Sequence, residues 1–160
     1  WSRRLWEALK GFVPEHYGFR GRNPEVRDPV NSSLNYTYAI LYALCSHALT
    51  AAGLDPYAGL LHSERAGKPS LALDLSEMFK PAAIHAVISA SRSARLEVAE
   101  DGYLTKDSLG VVTAALFRNL GRKLPEWEHS VRGYIYAKAW ELRLCAERGD
   151  DLKPFVYRVK

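Results

Sequence analysis

The chain has 160 residues, 48% of them hydrophobic and 25% charged, which suits one domain with a buried core and excludes a disordered segment. Its two cysteines stand apart, with no CxxC spacing, so a disulfide framework is excluded and a reducing intracellular compartment is expected. A net charge of +4 points mildly to an anionic partner, and its distribution says more. Residues 28–64 contain no Lys or Arg, whereas the first 27 hold Arg3, Arg4, Lys10, Arg20, Arg22 and Arg27 against three acids.

In chain order, Leu5, Leu9, Phe12 and Val13 recur at helical spacing over residues 1–13, and Pro14 ends that amphipathic helix. The chain opens on Trp1 rather than Met, without the order of a signal peptide, and reads as starting inside a longer protein. Residues 15–29 are rich in Gly and Pro and form a connecting loop that carries Arg20, Arg22 and Arg27. Asp28 followed by Pro29 is a helix start, a capping carboxylate and then the residue tolerated in the first turn. From there Val30, Leu34, Tyr38, Leu41, Cys45, Ala48 and Ala52 repeat at three and four residues until Gly53 closes the run. Ser46, His47 and Thr50 interrupt the apolar stretch 36–53, which makes it a core helix and not a membrane span. Asn31 and Asn35 lie one turn apart near its N-terminus, where backbone amides favour an anion. With Asn23 and Arg27 they make a phosphate cradle, or else plain polar surface.

Residues 54–61 are a turn that delivers His62. A basic loop with Arg65 and Lys68 follows, then a helix over 71–79 in which Asp74 and Glu77, three apart, share one face. With His62 folded back toward that face, this is a mixed nitrogen and oxygen site of the kind that Mg²⁺ or Mn²⁺ accepts. The same residues also fit a capping histidine and a solvated pair of carboxylates. Pro81 kinks that helix or opens a second segment, which runs to about Ala94. Residues 97–105 form a linker with a turn at Asp101 and Gly102. Thr105 or Asp107 caps a helix through Leu120, and a last long helix runs from about Glu126 to Glu147, stopped by Gly149. The tail DLKPFVYRVK is extended or irregular. No repeat and no strand alternation appears, so the expected class is all-α.

Over residues 27–81 the string resembles the C-terminal helical domain of the CRISPR-associated adaptation endonuclease, the integrase of spacer acquisition. The resemblance rests on DPVN and LNY, on GLDPYAGLLH, and on RAGKPSLALDLSE; it extends more weakly from WSRRLWEAL to KPFVYR. It implies that His62 and Glu77 are metal ligands and that Asp74 supports them, with Mg²⁺ or Mn²⁺ as cofactor. A further ligand, a glutamate standing just before Trp1 in the family pattern, and the family's N-terminal β domain are expected to lie outside residues 1–160. The 160 residues are then a helical catalytic domain, nearly inert alone.

The implied partners are double-stranded DNA, a second copy of the full-length protein, and the small CRISPR-associated protein of the integration complex, all in the cytoplasm and none in a membrane. Arg20, Arg22, Arg27, Asn31, Asn35, Arg65 and Lys68 are the expected DNA contacts. Two other readings stay open: a transposon integrase of the casposase kind, and a helical domain that binds DNA or protein without catalysis.

Overall fold

The structure, a computed structural model, describes residues 2–58 and 68–159. Six α-helices occur among the described residues: α1 (Ser2–Lys10), α2 (Pro29–Ala51), α3 (Ser70–Glu77), α4 (Lys80–Ser93), α5 (Lys106–Gly121) and α6 (Val131–Arg148). Apart from one isolated bridge between Val98 and Leu104, no β pairing occurs among them, and the fold is all-α as the periodicity required. No described helix is long and apolar enough to cross a membrane.

Where helices begin is decided by caps. Asp28 Oδ1 accepts the backbone N–H groups of Val30 at 2.9 Å and Asn31 at 2.8 Å, satisfying two donors that the first turn of α2 leaves open. Thr105 rather than Asp107 caps α5, its Oγ1 accepting from Ser108 N–H at 3.4 Å. Pro81 stands in the first turn of α4, so it opens a separate helix.

The last helix starts at Val131, later than the expected start at about Glu126. Ser130 takes the cap, accepting from Gly133 N–H at 3.1 Å, while residues 125–130 form turns. Trp127 is buried there, and its backbone N–H donates to Leu124 O at 2.9 Å, which places it in a turn ahead of the helix. The first helix is also shorter than expected. Single-turn bonds from Phe12 to Leu9 O and Val13 to Lys10 O finish it, and a 3₁₀ turn at Glu15–Tyr17 follows Pro14.

The chain divides into two compact units. The first comprises Trp1–Tyr38 and Ala83–Asn119. Val30, Leu34, Val87, Leu96, Val112 and Leu116 are buried in it. Tyr17 fixes the loop after α1: its hydroxyl accepts Leu96 N–H at 2.7 Å and donates to Ala94 O at 3.1 Å.

The second unit comprises Ala39–Ala82 and Leu120–Lys160. Leu41, Cys45, Leu49, Leu75, Phe79 and Ile135 are buried in it, and α3 packs against α6. The N-terminus of α3 is tied to the turn before the basic loop, since Leu71 and Ala72 both donate to Pro56 O, at 3.0 and 3.3 Å. Its C-terminal end is covered by the tail. Phe155 stacks on Phe79 with ring centroids 5.2 Å apart and on Tyr134 at 4.7 Å, and its N–H donates to Met78 Sδ at 3.3 Å. Trp127 meets the Phe155 ring edge-on at 5.4 Å.

Candidate active site and nucleic-acid cleft

Asp74 and Glu77 both lie on α3, three residues apart, as the spacing required. They differ in exposure. Asp74 is 8% exposed among Leu71, Leu75 and Ser76, whereas the Glu77 side chain is 49% exposed at the helix end. Glu77 Oε1 accepts from Lys80 Nζ, so the carboxylate already holds a cation in the form of an ammonium. That ammonium lies 5.8 Å from the centre of the Tyr42 ring, within cation–π range.

His62 and Arg65, the other expected members of this region, lie outside the described residues. Among the described residues no group of three His, Cys, Asp or Glu side chains comes together. The donor chemistry of the two that are described fits a hard divalent cation: carboxylate oxygens one helical turn apart, the outer one binding a positive group. Lys68 is exposed, and its carbonyl accepts the backbone N–H of Ser70 at 2.8 Å, which fixes the approach to α3.

In the first unit, a cleft of about 670 Å³ is lined by Trp6, Glu7, Arg20, Arg22, Asp28 and Asn31, among others. The structure brings Arg22, Asn31 and Asn35 together, but their hydrogen bonds run to one another. Arg22 donates to Asn35 Oδ1 at 2.6 Å and Asn31 Oδ1 at 3.3 Å, and its guanidinium lies 5.4 Å from the Tyr38 ring centre. Asn31, 2% exposed, also accepts Asn23 N–H at 2.8 Å and donates to Asp28 Oδ2 at 2.7 Å and Gly21 O at 3.2 Å. These asparagines build the wall that aims Arg22. Arg20 is exposed in the same cleft, while Arg27 is exposed and stacked on Tyr103, 5.2 Å from the ring centre.

Three contributors were not singled out from the sequence. Lys80 was signalled by its place three residues after Glu77, the spacing of a helical ion pair. Tyr103, in a linker, and Phe155, in a tail without periodicity, carried no local signal.

A family model described as CRISPR associated protein Cas1 matches residues 1–120. Among curated relatives, the CRISPR-associated endonuclease Cas1 of Hyperthermus butylicus is 34% identical over 97% of this chain and 48% of its own length. The CRISPR-associated endonuclease Cas1 2 of Pyrobaculum aerophilum is 49% identical over 77% of this chain and 40% of its own. The chain thus spans about half the length of the curated relatives it matches. Among solved structures, a casposase bound to integration product superposes with a TM-score of 0.84 at 27% identity, covering 99% of this chain and 50% of that one. A chain of a Cas6-RT-Cas1–Cas2 complex shares the fold, with a TM-score of 0.78 at 20% identity over 99% of this chain and 19% of that one. The family match and a relative similar along nearly the whole chain lead to one conclusion: this chain belongs to the Cas1 family of CRISPR-associated proteins.

Proposed function

We propose that the chain is the helical catalytic part of a metal-dependent DNA endonuclease and integrase that inserts new spacers into a CRISPR array. The observation that carries this reading is the pair Asp74 and Glu77, one turn apart on α3 within the stretch matched by the family model. Asp74, Glu77 and His62 would hold Mg²⁺ or Mn²⁺, which when bound polarises a phosphodiester and stabilises the charge that develops on its oxygens. Asp74 is held on a buried face and Glu77 stands half exposed at its edge, so Glu77 is the carboxylate of the two that a DNA strand can approach. Lys80 orients the Glu77 carboxylate through their ion pair. Arg20 and Lys68, exposed, and Arg65 supply phosphate attraction that is independent of sequence. Arg22, Asn31 and Asn35 form the preorganised wall of the DNA cleft, and Arg27 extends it. Double-stranded DNA, a second copy of the full-length protein and a small partner protein of the Cas2 kind complete the reading, in the cytoplasm. Likeness to a casposase bound to integration product favours a second reading with the same strand-transfer chemistry, a transposon integrase.

Mn²⁺ titration of the full-length protein followed by electron paramagnetic resonance tests the site. Glu77→Gln, Asp74→Asn and His62→Ala are each expected to weaken binding at least tenfold, and to abolish Mn²⁺-dependent cleavage of branched DNA wherever the wild type shows it. Equal Mn²⁺ affinity in wild type and Glu77→Gln would overturn the assignment.

A further inference from the structure

The first unit holds a second hollow, of about 370 Å³, lined by Arg27, Tyr36, Gly102, Tyr103, Leu104 and Leu109, among others. We infer that this hollow is a stacking site for one unpaired nucleobase of single-stranded DNA, with Tyr103 as the platform and Arg27 as the phosphate contact. The inference rests on the DNA reading above and adds a site to it, made of residues outside the α3 carboxylates.

Four observations carry it. Tyr103 is 63% exposed, although its N–H is fixed by Asp101 Oδ1 at 2.9 Å and its neighbour Leu104 is buried; the ring is held out on a rigid turn. Arg27 lies over that ring at 5.2 Å, and aromatic rings and guanidinium planes are the two kinds of protein surface on which unpaired bases stack. The turn is shaped to permit this stack. Gly102 has φ +77°, and a Cβ there would lie 2.9 Å from Arg27 Cγ and 3.0 Å from its Cβ, so any side chain would push Arg27 away.

The fourth observation concerns what the hollow reads. The polar side chains that α2 lends to it are already bonded within the protein. Ser32 Oγ donates to Gly102 O at 3.3 Å, and the Asn35 amide takes Arg22 on its oxygen and gives to Pro24 O at 3.0 Å. The Tyr36 hydroxyl is bonded to Thr113 Oγ1 at 3.2 Å. With these groups bonded within the protein and the Tyr103 ring and Arg27 guanidinium offered as planar surfaces, the site takes a base by its face. A sequence-tolerant stack is the consequence.

The test uses this chain and short single-stranded DNAs, each carrying one 2-aminopurine. Binding is expected to quench the fluorescent base. Tyr103→Ala should weaken binding about tenfold and remove the quenching with the salt slope unchanged, and Tyr103→Phe should restore both. Arg27→Ala should lower the salt slope by about 0.7. Oligo-T and oligo-A should bind alike. The site is overturned if Tyr103→Ala binds and quenches as the wild type does, or if Tyr103→Phe fails to restore. Tighter binding of an oligoribonucleotide overturns the assignment to DNA. Duplex binding without quenching overturns this site alone, whereas failure to bind either form of DNA at low salt overturns the DNA reading as well.

Discussion

Asp74 and Glu77 ride on a helix held by apolar and aromatic packing, whereas Arg22 and Asn31 are held by a mesh of hydrogen bonds at the entrance to α2. The first arrangement spreads its stabilisation over many weak contacts around Phe79, Phe155 and Trp127, so conservative changes of shape are absorbed. The second concentrates it in few directed bonds, where losing one partner strands the others inside the protein. A carboxylate that must reach solvent is served by a firm base and a free edge. A guanidinium that must point one way is served by fixed acceptors.

Breaking the packed base gives the largest expected effect. Phe79 is fully buried, and Phe79→Ala should cost about 3–5 kcal/mol in chemical denaturation. Phe79→Leu should cost well under half of that; equal costs would show that volume alone, without ring stacking, does not describe the base.

Breaking the mesh comes next. Asn31→Ala removes partners from Asp28, Gly21, Asn23 and Arg22 at a site 2% exposed, and should cost about 2–3 kcal/mol. Asn35→Ala, half-buried and with two partners, should cost about 1 kcal/mol. If the two asparagines cost the same, burial does not set the brittleness of the mesh.

The apolar unit also has a pH signature. Burial pushes the Cys45 thiol from 9.0 up to about 12. The folded state therefore holds this proton more tightly than the unfolded chain. The contribution of this group to stability is fully present below about pH 9 and is lost through the window from about 9 to 12, on the order of 1 kcal/mol per pH unit. Cys45→Ala should flatten that slope in alkaline urea titrations, and at neutral pH iodoacetamide should label Cys145, which is half-buried, and spare Cys45.

The smallest effect belongs to the surface. Arg143 and Glu147 pair at 2.9 Å on α6, both side chains more than one-third exposed, and Glu147→Ala should cost no more than about 0.5 kcal/mol.

The difference between the two regions also decided what could be read in the sequence. The start of α2 was legible because Asp28 and Pro29 act locally, and so was the placing of Asp74 and Glu77 on one helix. The start of α6 was not, because Trp127 fits a helical stripe in the string while its burial is set by Phe155, 28 residues later. The mutual bonding of Arg22 with Asn31 and Asn35 was hidden for a related reason. Periodicity marks which residues sit near one another along a helix, but the approach of the 18–28 loop to that helix is a long-range event. His62 lies outside the described residues, so the third expected ligand is read from the sequence alone.

The tail sets an order of events during synthesis. The first unit is composed of residues up to Asn119, so its parts exist when the ribosome has made about three-quarters of the 160 residues. The second cannot close over Phe79 until Phe155 has been translated, 76 residues after the ring it covers. For that interval the apolar end of α3 waits uncovered, a surface open to chaperones and to wrong partners.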